Sequence, residues 1–346
     1  MPGDSNGFIK SLGIARLVII AFLALLLIIA WVKGLPLETL ISNSLTRAGM
    51  NGILVLAMVP SVQAGLGLNF GLPVGIICGL LGLVLAFEWS LGGMAGFFVA
   101  AGLGCLFALG AGYLYGCVLN RVKGQEMMVG TYAGFSVVAA MCMFWVMAPF
   151  TNPRMIFVVG GKGLRVTMAM DDELARVLDN LVRINIGRVE VPVSLLGFFA
   201  LACLFVWVFS RTPWGIAMRV AGGNPAYAAA CGINCETTRM TGSIVSTVLA
   251  AIGIVVYAQS FGFIQLYTAP LMMAFPAVAS ILIGGANTRQ ATVLHAVTGV
   301  FLFQTLLTVS LPVTQTLIEG DMSEVARMII SNGMILYALT RGRNGA

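Results

Sequence analysis

The chain has 346 residues, 59% of them hydrophobic and 9% charged, with a mean hydropathy of +0.98 and a formal net charge of +6. A soluble domain carries about a quarter charged residues, so this chain cannot cover itself with a water-facing surface, which excludes an ordinary soluble enzyme. The basic residues are scattered between apolar runs, so they read as an orientation signal and not as a nucleic-acid footprint.

Apolar runs long enough to cross about 30 Å of hydrocarbon occur near 15–32, 50–66, 70–87, 94–119, 127–149, 191–209, 241–261, 270–286, 291–311 and 325–340. In lipid, backbone N–H and C=O groups must find partners within the segment, so each run is expected as a helix. The sequence therefore predicts an all-α polytopic membrane protein of about ten transmembrane helices, one domain over residues 1–346. The first run is longer than the apolar core of a signal peptide, and no small-x-small site precedes Trp31-Val32-Lys33, so a cleaved leader is not expected. With both termini inside, that side gathers ten basic against three acidic residues, and the other side nine against ten. Lys10, Arg16, Arg121, Lys123, Arg211 and Arg343 fall inside, whereas Glu319, Asp321 and Glu324 fall outside.

Between the second and third runs lies Gly65-Leu66-Gly67-Leu68-Asn69-Phe70-Gly71, with Pro73 close behind. It is too short and too apolar for an aqueous loop, and broken backbone at membrane depth has to be buried in protein or line a cavity. Gly71, Gly75 and Gly79 then recur at every fourth position, either as a close-packing face or as the seam of a path. The eighth run begins at Pro270, contains Pro276 and ends in Gly284-Gly285. An external loop spans about 150–190: Thr151-Asn152-Pro153 opens it, Gly160-Gly161-Lys162-Gly163 turns it, and Asp171 to Leu181 predicts an amphipathic helix. There Leu174, Val177, Leu178 and Leu181 share a face, and Asp171 and Asp172 favour the N-terminus.

The longest polar break on the inner side is Arg211 to Arg239. Asn224 is placed to cap a short alanine-rich helix, with Pro225 at its first position and Gly232 as its stop. Conventional catalytic chemistry is missing from the whole chain. His295 is the sole histidine. No Gly-rich loop with a following Lys-Ser/Thr cradles a phosphate. The seven cysteines form no paired spacing and read as buried thiols, and no metal site is expected. Glu88 and Glu126 stand at the ends of runs, away from the midplane where an ion-coupling carboxylate belongs. What remains inside the runs is neutral and polar: Asn51, Gln63, Asn69, Gln259, Gln265, Gln304 and Thr308 among others. Such groups suit a path for an uncharged, hydroxyl-rich solute, although each could equally bond one helix to another.

The segment Trp214-Gly215, Arg219, then Gly223-Asn224-Pro225-Ala226-Tyr227-Ala228-Ala229-Ala230-Cys231-Gly232-Ile233-Asn234 resembles a motif of permease subunits of ATP-binding-cassette importers. It is the branch that carries ribose, galactose and other monosaccharides, autoinducer, nucleosides and branched-chain amino acids. Phe275 to Ala286, ending in Gly284-Gly285-Ala286, is similar to a second stretch of the same family. The likeness covers roughly 190–340, and the rest by topology. It departs where monosaccharide permeases carry an Asp that here is Asn69, and Gln125-Glu126 leans towards the nucleoside permeases.

The resemblance implies a type II importer permease in a bacterial inner membrane, working as half of a homo- or heterodimer. A cytosolic ATPase would bind ATP and Mg, so neither cofactor nor catalysis is expected on this chain. An extracytoplasmic binding protein would deliver a small polar solute, a monosaccharide first, with a nucleoside or amino acid as alternatives. An ion-coupled secondary transporter is the alternative of a different class. Arg219, Gly222, Gly223, Asn224, Pro225, Ala229 and Gly232 are the expected ATPase contacts within the 211–239 segment. Gln63, Asn69, Phe70, Gln259 and Gln304 are the expected residues of the path.

Overall fold

The computed structural model describes residues 14–156, 163–170, 175–267 and 269–317, then 325, 328–330, 332–337 and 340. The turn at 160–162, the start of the amphipathic helix at 171–174, the acids Glu319, Asp321 and Glu324, and Lys10, Arg341 and Arg343 lie outside the described residues.

Helix α1 (Ile14–Val32) leads through Gly34 into α2 (Leu37–Leu56), which continues after a slight break as α3 (Met58–Gln63). Together α2 and α3 make one apolar span of 27 residues. This corrects the expected second span, which begins at Leu37 and not near 50. Glu38, Ser42, Asn43, Thr46 and Arg47 depress the local hydropathy, but they occupy one side, while Leu40, Ser44 and Ala48 are buried on the other. Then follow α4 (Leu72–Glu88), α5 (Gly93–Arg121) and α6 (Glu126–Met147). After the 150–192 segment come α8 (Val193–Phe209), α9 (Pro213–Gly223), α10 (Pro225–Ala230) and α11 (Cys235–Phe261), with α7 (Val177–Leu181) lying within that segment. The chain ends its described core with α12 (Ala269–Met272), α13 (Ala274–Ile283) and α14 (Val293–Leu317).

Five described helices are long and apolar enough to cross a membrane, and a sixth is reached if α8 and α9, bent by 75°, count as one. The shorter apolar stretches of 10–17 residues include Arg16–Val32 of α1, Leu72–Glu88 and Ala269–Ile283. The protein is a helical, multi-pass membrane protein.

The centre of the bundle is α4, flanked by α5 and α11. A Cβ on Gly75 or Gly79 would strike the carbonyl of Thr247 or Ala251 on α11, and one on Gly82 would strike that of Ala100 on α5. The repeating glycines therefore serve close helix packing, the first of the two readings, because only glycine lets these backbones approach.

Two small antiparallel sheets were not expected from the sequence. Strand β1 (Thr167–Ala169) pairs with β4 (Phe263–Gln265), and β2 (Arg183–Ile186) pairs with β3 (Val189–Pro192). Gly187, at φ +68°, opens the two-residue turn between β2 and β3, as a tight hairpin requires. Among the described residues, α7 represents the amphipathic helix anticipated over 171–181. Because α8 leads away from the hairpin and α11 leads back to β4, the sheets and the 210–234 segment lie at opposite ends of the bundle.

Candidate functional site

At the end opposite the hairpin, Ser210-Arg211-Thr212 turns the chain sharply. Thr212 Oγ1 accepts from the Gly215 N–H at 3.4 Å, and Arg219 Nη2 donates to the Ser210 carbonyl at 2.8 Å. The guanidinium thus sits on the C-terminal carbonyls of α8, where a helix end favours positive charge. Asn224 Oδ1 accepts from the Tyr227 N–H at 3.0 Å, Pro225 opens α10, and Gly232 leaves it at φ +78°. The local geometry follows the sequence reading. Of α10 only Ala228 is buried, and Ala226, Tyr227, Ala229 and Ala230 are exposed.

This segment touches the break in the bundle directly. A Cβ on Gly222 would strike the Gln63 carbonyl, and one built on Gly65, at φ +74°, would come within 2.9 Å of Gly222 Cα. Gly223, in contrast, faces open space. Met218 of α9 packs with Ala64, Leu66, Tyr115 and Leu119. Gln63 fastens the same region: Ser210 Oγ donates to its Oε1 at 3.2 Å, and its Nε2 donates to the Ala291 carbonyl at 3.0 Å. Arg239, at the start of α11, pairs with Glu126 Oε1 at 2.6 Å and also reaches Asn120 and the Leu119 carbonyl.

Just inside, Asn69 is buried and fully engaged. Its Nδ2 donates to Ser246 Oγ at 2.8 Å, while its Oδ1 accepts from Tyr115 Oη and from the Gly71 N–H, each at 3.0 Å. Ser246 Oγ donates in turn to the Ala57 carbonyl at 2.7 Å. Asn69 therefore ties the break between α3 and α4 to α5 and α11. Phe70 lies beside Phe275, ring centroids 5.9 Å apart.

The hairpin end has its own polar cluster. Gln259 Oε1 accepts from the Leu178 N–H at 3.1 Å, its Nε2 donates to Ser260 Oγ at 2.7 Å, and its carbonyl accepts from the Arg176 N–H at 2.8 Å. Ser260 Oγ donates to Asp179 Oδ1 at 3.0 Å. Burial pushes the Asp179 carboxyl up from its ordinary range, against the pull of Ser260, Arg183 and Arg176.

Beside this cluster opens a cavity of about 970 Å³. One wall is α2, through Asn43, Thr46, Arg47 and Asn51; the facing wall is α14, through Gln304, Leu307, Thr308 and Leu311. Tyr257 and Ser260 of α11, Met273 just before α13 and Pro276 within it, and Arg176 and Gln265 at the rim complete it. Of the five residues expected along a path, the structure brings only Gln304 to this cavity. Gln63, Asn69 and Gln259 spend their amides on interhelical and loop contacts. Sequence reading missed Arg47, because a span taken to start at 50 leaves it in an outer loop. The four-residue spacing of Asn43, Arg47 and Asn51 was the available signal, a polar stripe on a helix.

Among the described residues, no group of three or more His, Cys, Asp or Glu is placed to hold a metal ion.

The chain matches the family described as "Branched-chain amino acid transport system / permease component" over residues 40–339. It is 24% identical over 258 residues to the autoinducer 2 import system permease protein LsrC of Photorhabdus laumondii, covering 72% of this chain and 68% of that one. It is 32% identical over 127 residues to a probable ABC transporter permease protein, YphD, of Escherichia coli, covering 36% and 37%. Against LsrC of Klebsiella pneumoniae it is 32% identical over 123 residues, covering 34% and 36%. No solved structure matches.

Proposed function

The chain belongs to the permease family matched over 40–339, and from that premise we propose that it is the membrane-spanning subunit of an ATP-driven, binding-protein-dependent importer. In this reading about ten helices cross a bacterial inner membrane in the type II arrangement, with both termini cytoplasmic, as half of a homo- or heterodimer. ATP and Mg act on a separate cytosolic ATPase, and a soluble protein outside delivers the cargo. The cargo is a small polar solute, a monosaccharide before a nucleoside or an amino acid. Two of the related proteins are named as autoinducer 2 import permeases, which supports import of a small solute.

The observation that carries the reading is α10. It is a short helix capped at both ends, exposed on nearly every side, and joined through Gly222 to the break at Gly65. A partner that grips α10 could therefore move the backbone of the break without any intervening flexible side chain. Arg219, Asn224, Pro225 and Gly232 hold its shape, Gly223 leaves the turn before it clear, and Ala229 offers its surface. Ion coupling finds less support. Glu126 is paired with Arg239, and Glu88 accepts from the Thr151 and Asn152 backbone at 3.0 and 3.2 Å, so both carboxylates are already engaged at span ends.

The test is Ala229→Asp, reconstituted in vesicles with the ATPase and binding protein of the same system. Ala229 is exposed, so folded yield should match the parent. Uptake should fall by about tenfold or more, because an unpaired charge in a docked surface costs several kcal/mol. Uptake equal to the parent's would overturn the placement of the ATPase contact.

A further inference from the structure

The cavity at the hairpin end has a charge character at odds with a path for neutral sugar. Helix α2 begins at that end, since Ser42 Oγ donates to the Glu190 carbonyl of β3 at 2.6 Å. Arg47 follows five residues after Ser42, which at 1.5 Å per residue places its Cα about 7 Å further along the helix, on the wall of the cavity. A guanidinium on a cavity wall among apolar helices calls for an anionic or polar partner. The ion pairs between described residues are Lys123–Glu236, Arg183–Glu190 and Arg239–Glu126, so Arg47 has no such carboxylate partner. Its side chain also makes no hydrogen bond to a described residue, and it opens onto the cavity.

Three further features agree. Arg176 stands at the rim with its backbone in the left-handed region, at φ 54°, where a non-glycine residue is strained. Its N–H is held by the Gln259 carbonyl, so the strained turn fixes where the side chain starts. Gln304 is 5% exposed and lines the cavity, yet no described residue bonds its side-chain amide. Finally, the described lining includes two guanidiniums and no carboxylate. At about 970 Å³ the space is ample for a small solute.

We propose that this cavity is a binding and selectivity site for a solute carrying an anionic group (carboxylate, sulfonate or phosphate ester), with Arg47 holding the charge and Gln304 bonding a neighbouring hydroxyl or carbonyl. The assignment deepens the importer reading and rests on it for the statement that the bound solute is cargo. A hydroxylated acid, such as a sugar acid, joins the two charged groups to the neutral polar lining of Asn43, Asn51 and Thr308. Arg47 is then the specificity residue, since a forked donor recognises a planar oxyanion, whereas a neutral sugar would leave the charge unanswered.

The test uses the full chain in nanodiscs and needs no cargo. Leu307→Cys and, separately, Leu311→Cys place a thiol on the α14 wall; each is half-buried, and either suffices if the other folds poorly. The rates of modification by anionic 2-sulfonatoethyl and cationic 2-trimethylammonioethyl methanethiosulfonate are read by mass spectrometry of the peptide carrying the new thiol. Dividing by the ratio found for a small free thiol removes intrinsic reactivity. The anionic reagent should be favoured by about tenfold or more, as a guanidinium on the facing wall of the same cavity would produce. Arg47→Gln should bring the ratio to within about threefold of unity, and Arg47→Lys should keep most of it.

A ratio near one in the parent overturns the proposal. So does a ratio that responds to Arg176→Gln but not to Arg47→Gln, which would make the rim a dock for an acidic protein. Preference present in phosphatidylcholine discs but abolished by phosphatidylglycerol would assign the site to a lipid headgroup, and also overturns it. These ratios do not depend on an ATPase, so a failure of the Ala229→Asp test leaves them interpretable, and the reverse holds too.

Discussion

Asn69 and Arg47 are both polar side chains within an apolar bundle, and what surrounds them differs. Every polar atom of the Asn69 amide meets a partner: Ser246, Tyr115 and the Gly71 N–H. The Arg47 guanidinium meets none that the described residues supply, and opens onto a cavity with Arg176 and Gln304. The contrast separates two uses of polarity in lipid. A satisfied group fastens helices, whereas one without a partner in the chain is free to answer a ligand. Hydropathy alone ranks the two in the opposite order, since Asn69 stands in the broken, path-like stretch and Arg47 in what reads as a loop.

The comparison breaks or sharpens through stability measurements on the full chain. The largest effect is expected from Asn69→Leu. It strands the Tyr115 hydroxyl and the Gly71 N–H, and each unsatisfied buried donor costs about 1–3 kcal/mol, less where lipid-embedded partners re-form. A loss of about 2–3 kcal/mol in an unfolding titration is therefore expected. A change below about 0.5 kcal/mol would show that the amide is not a fastener.

A smaller effect belongs to Asp179→Asn at the hairpin end. Burial raises the carboxyl in the folded chain, so the folded state holds its proton to higher pH than the unfolded state does. Stability from this group is therefore present at low pH and lost as pH rises from the ordinary carboxylate range through the raised folded value. Asn keeps the acceptor for Ser260 and removes the titration. The variant should match the parent at acid pH and lose less stability as pH rises to neutrality. An unchanged pH profile would show that Asp179 is solvated in the working protein.

The smallest effect is expected from Arg47→Gln, within about 0.5 kcal/mol of the parent in the same titration, since no described contact is lost. A loss comparable to that of Asn69→Leu would place Arg47 with the fasteners and remove the contrast.

How much of this could be read beforehand varies with the range of the interactions. The caps at Asn224, Pro225 and Gly232 involve neighbours along the chain, and the sequence anticipates them correctly. The two-residue turn at Gly187 is equally local, with alternation on both sides in Ile184-Asn185-Ile186 and Val189-Glu190-Val191, but it passes for featureless loop in a search for helical runs. The glycines of α4 announce close packing without naming α11 as the neighbour. Gln63 and Gln259 look alike as amides in apolar runs, and only their neighbours, Ser210 with Ala291 and Leu178 with Ser260, show both to be fasteners.

By itself the sequence determined that this is a helical membrane protein, where its apolar helices lie, the capped segment at 224–232, and its likeness to importer permeases. These depend on composition, on runs set by bilayer thickness, and on contacts within one turn of helix. Tertiary structure alone decided that Asn69 bonds Ser246, 177 positions away, that Gly222 meets Gly65, and that Arg47 and Gln304 border one cavity. Which way a polar residue faces inside a bundle depends on how helices distant in sequence pack, and that packing decides whether its hydrogen bonds are made within the protein or left for a ligand.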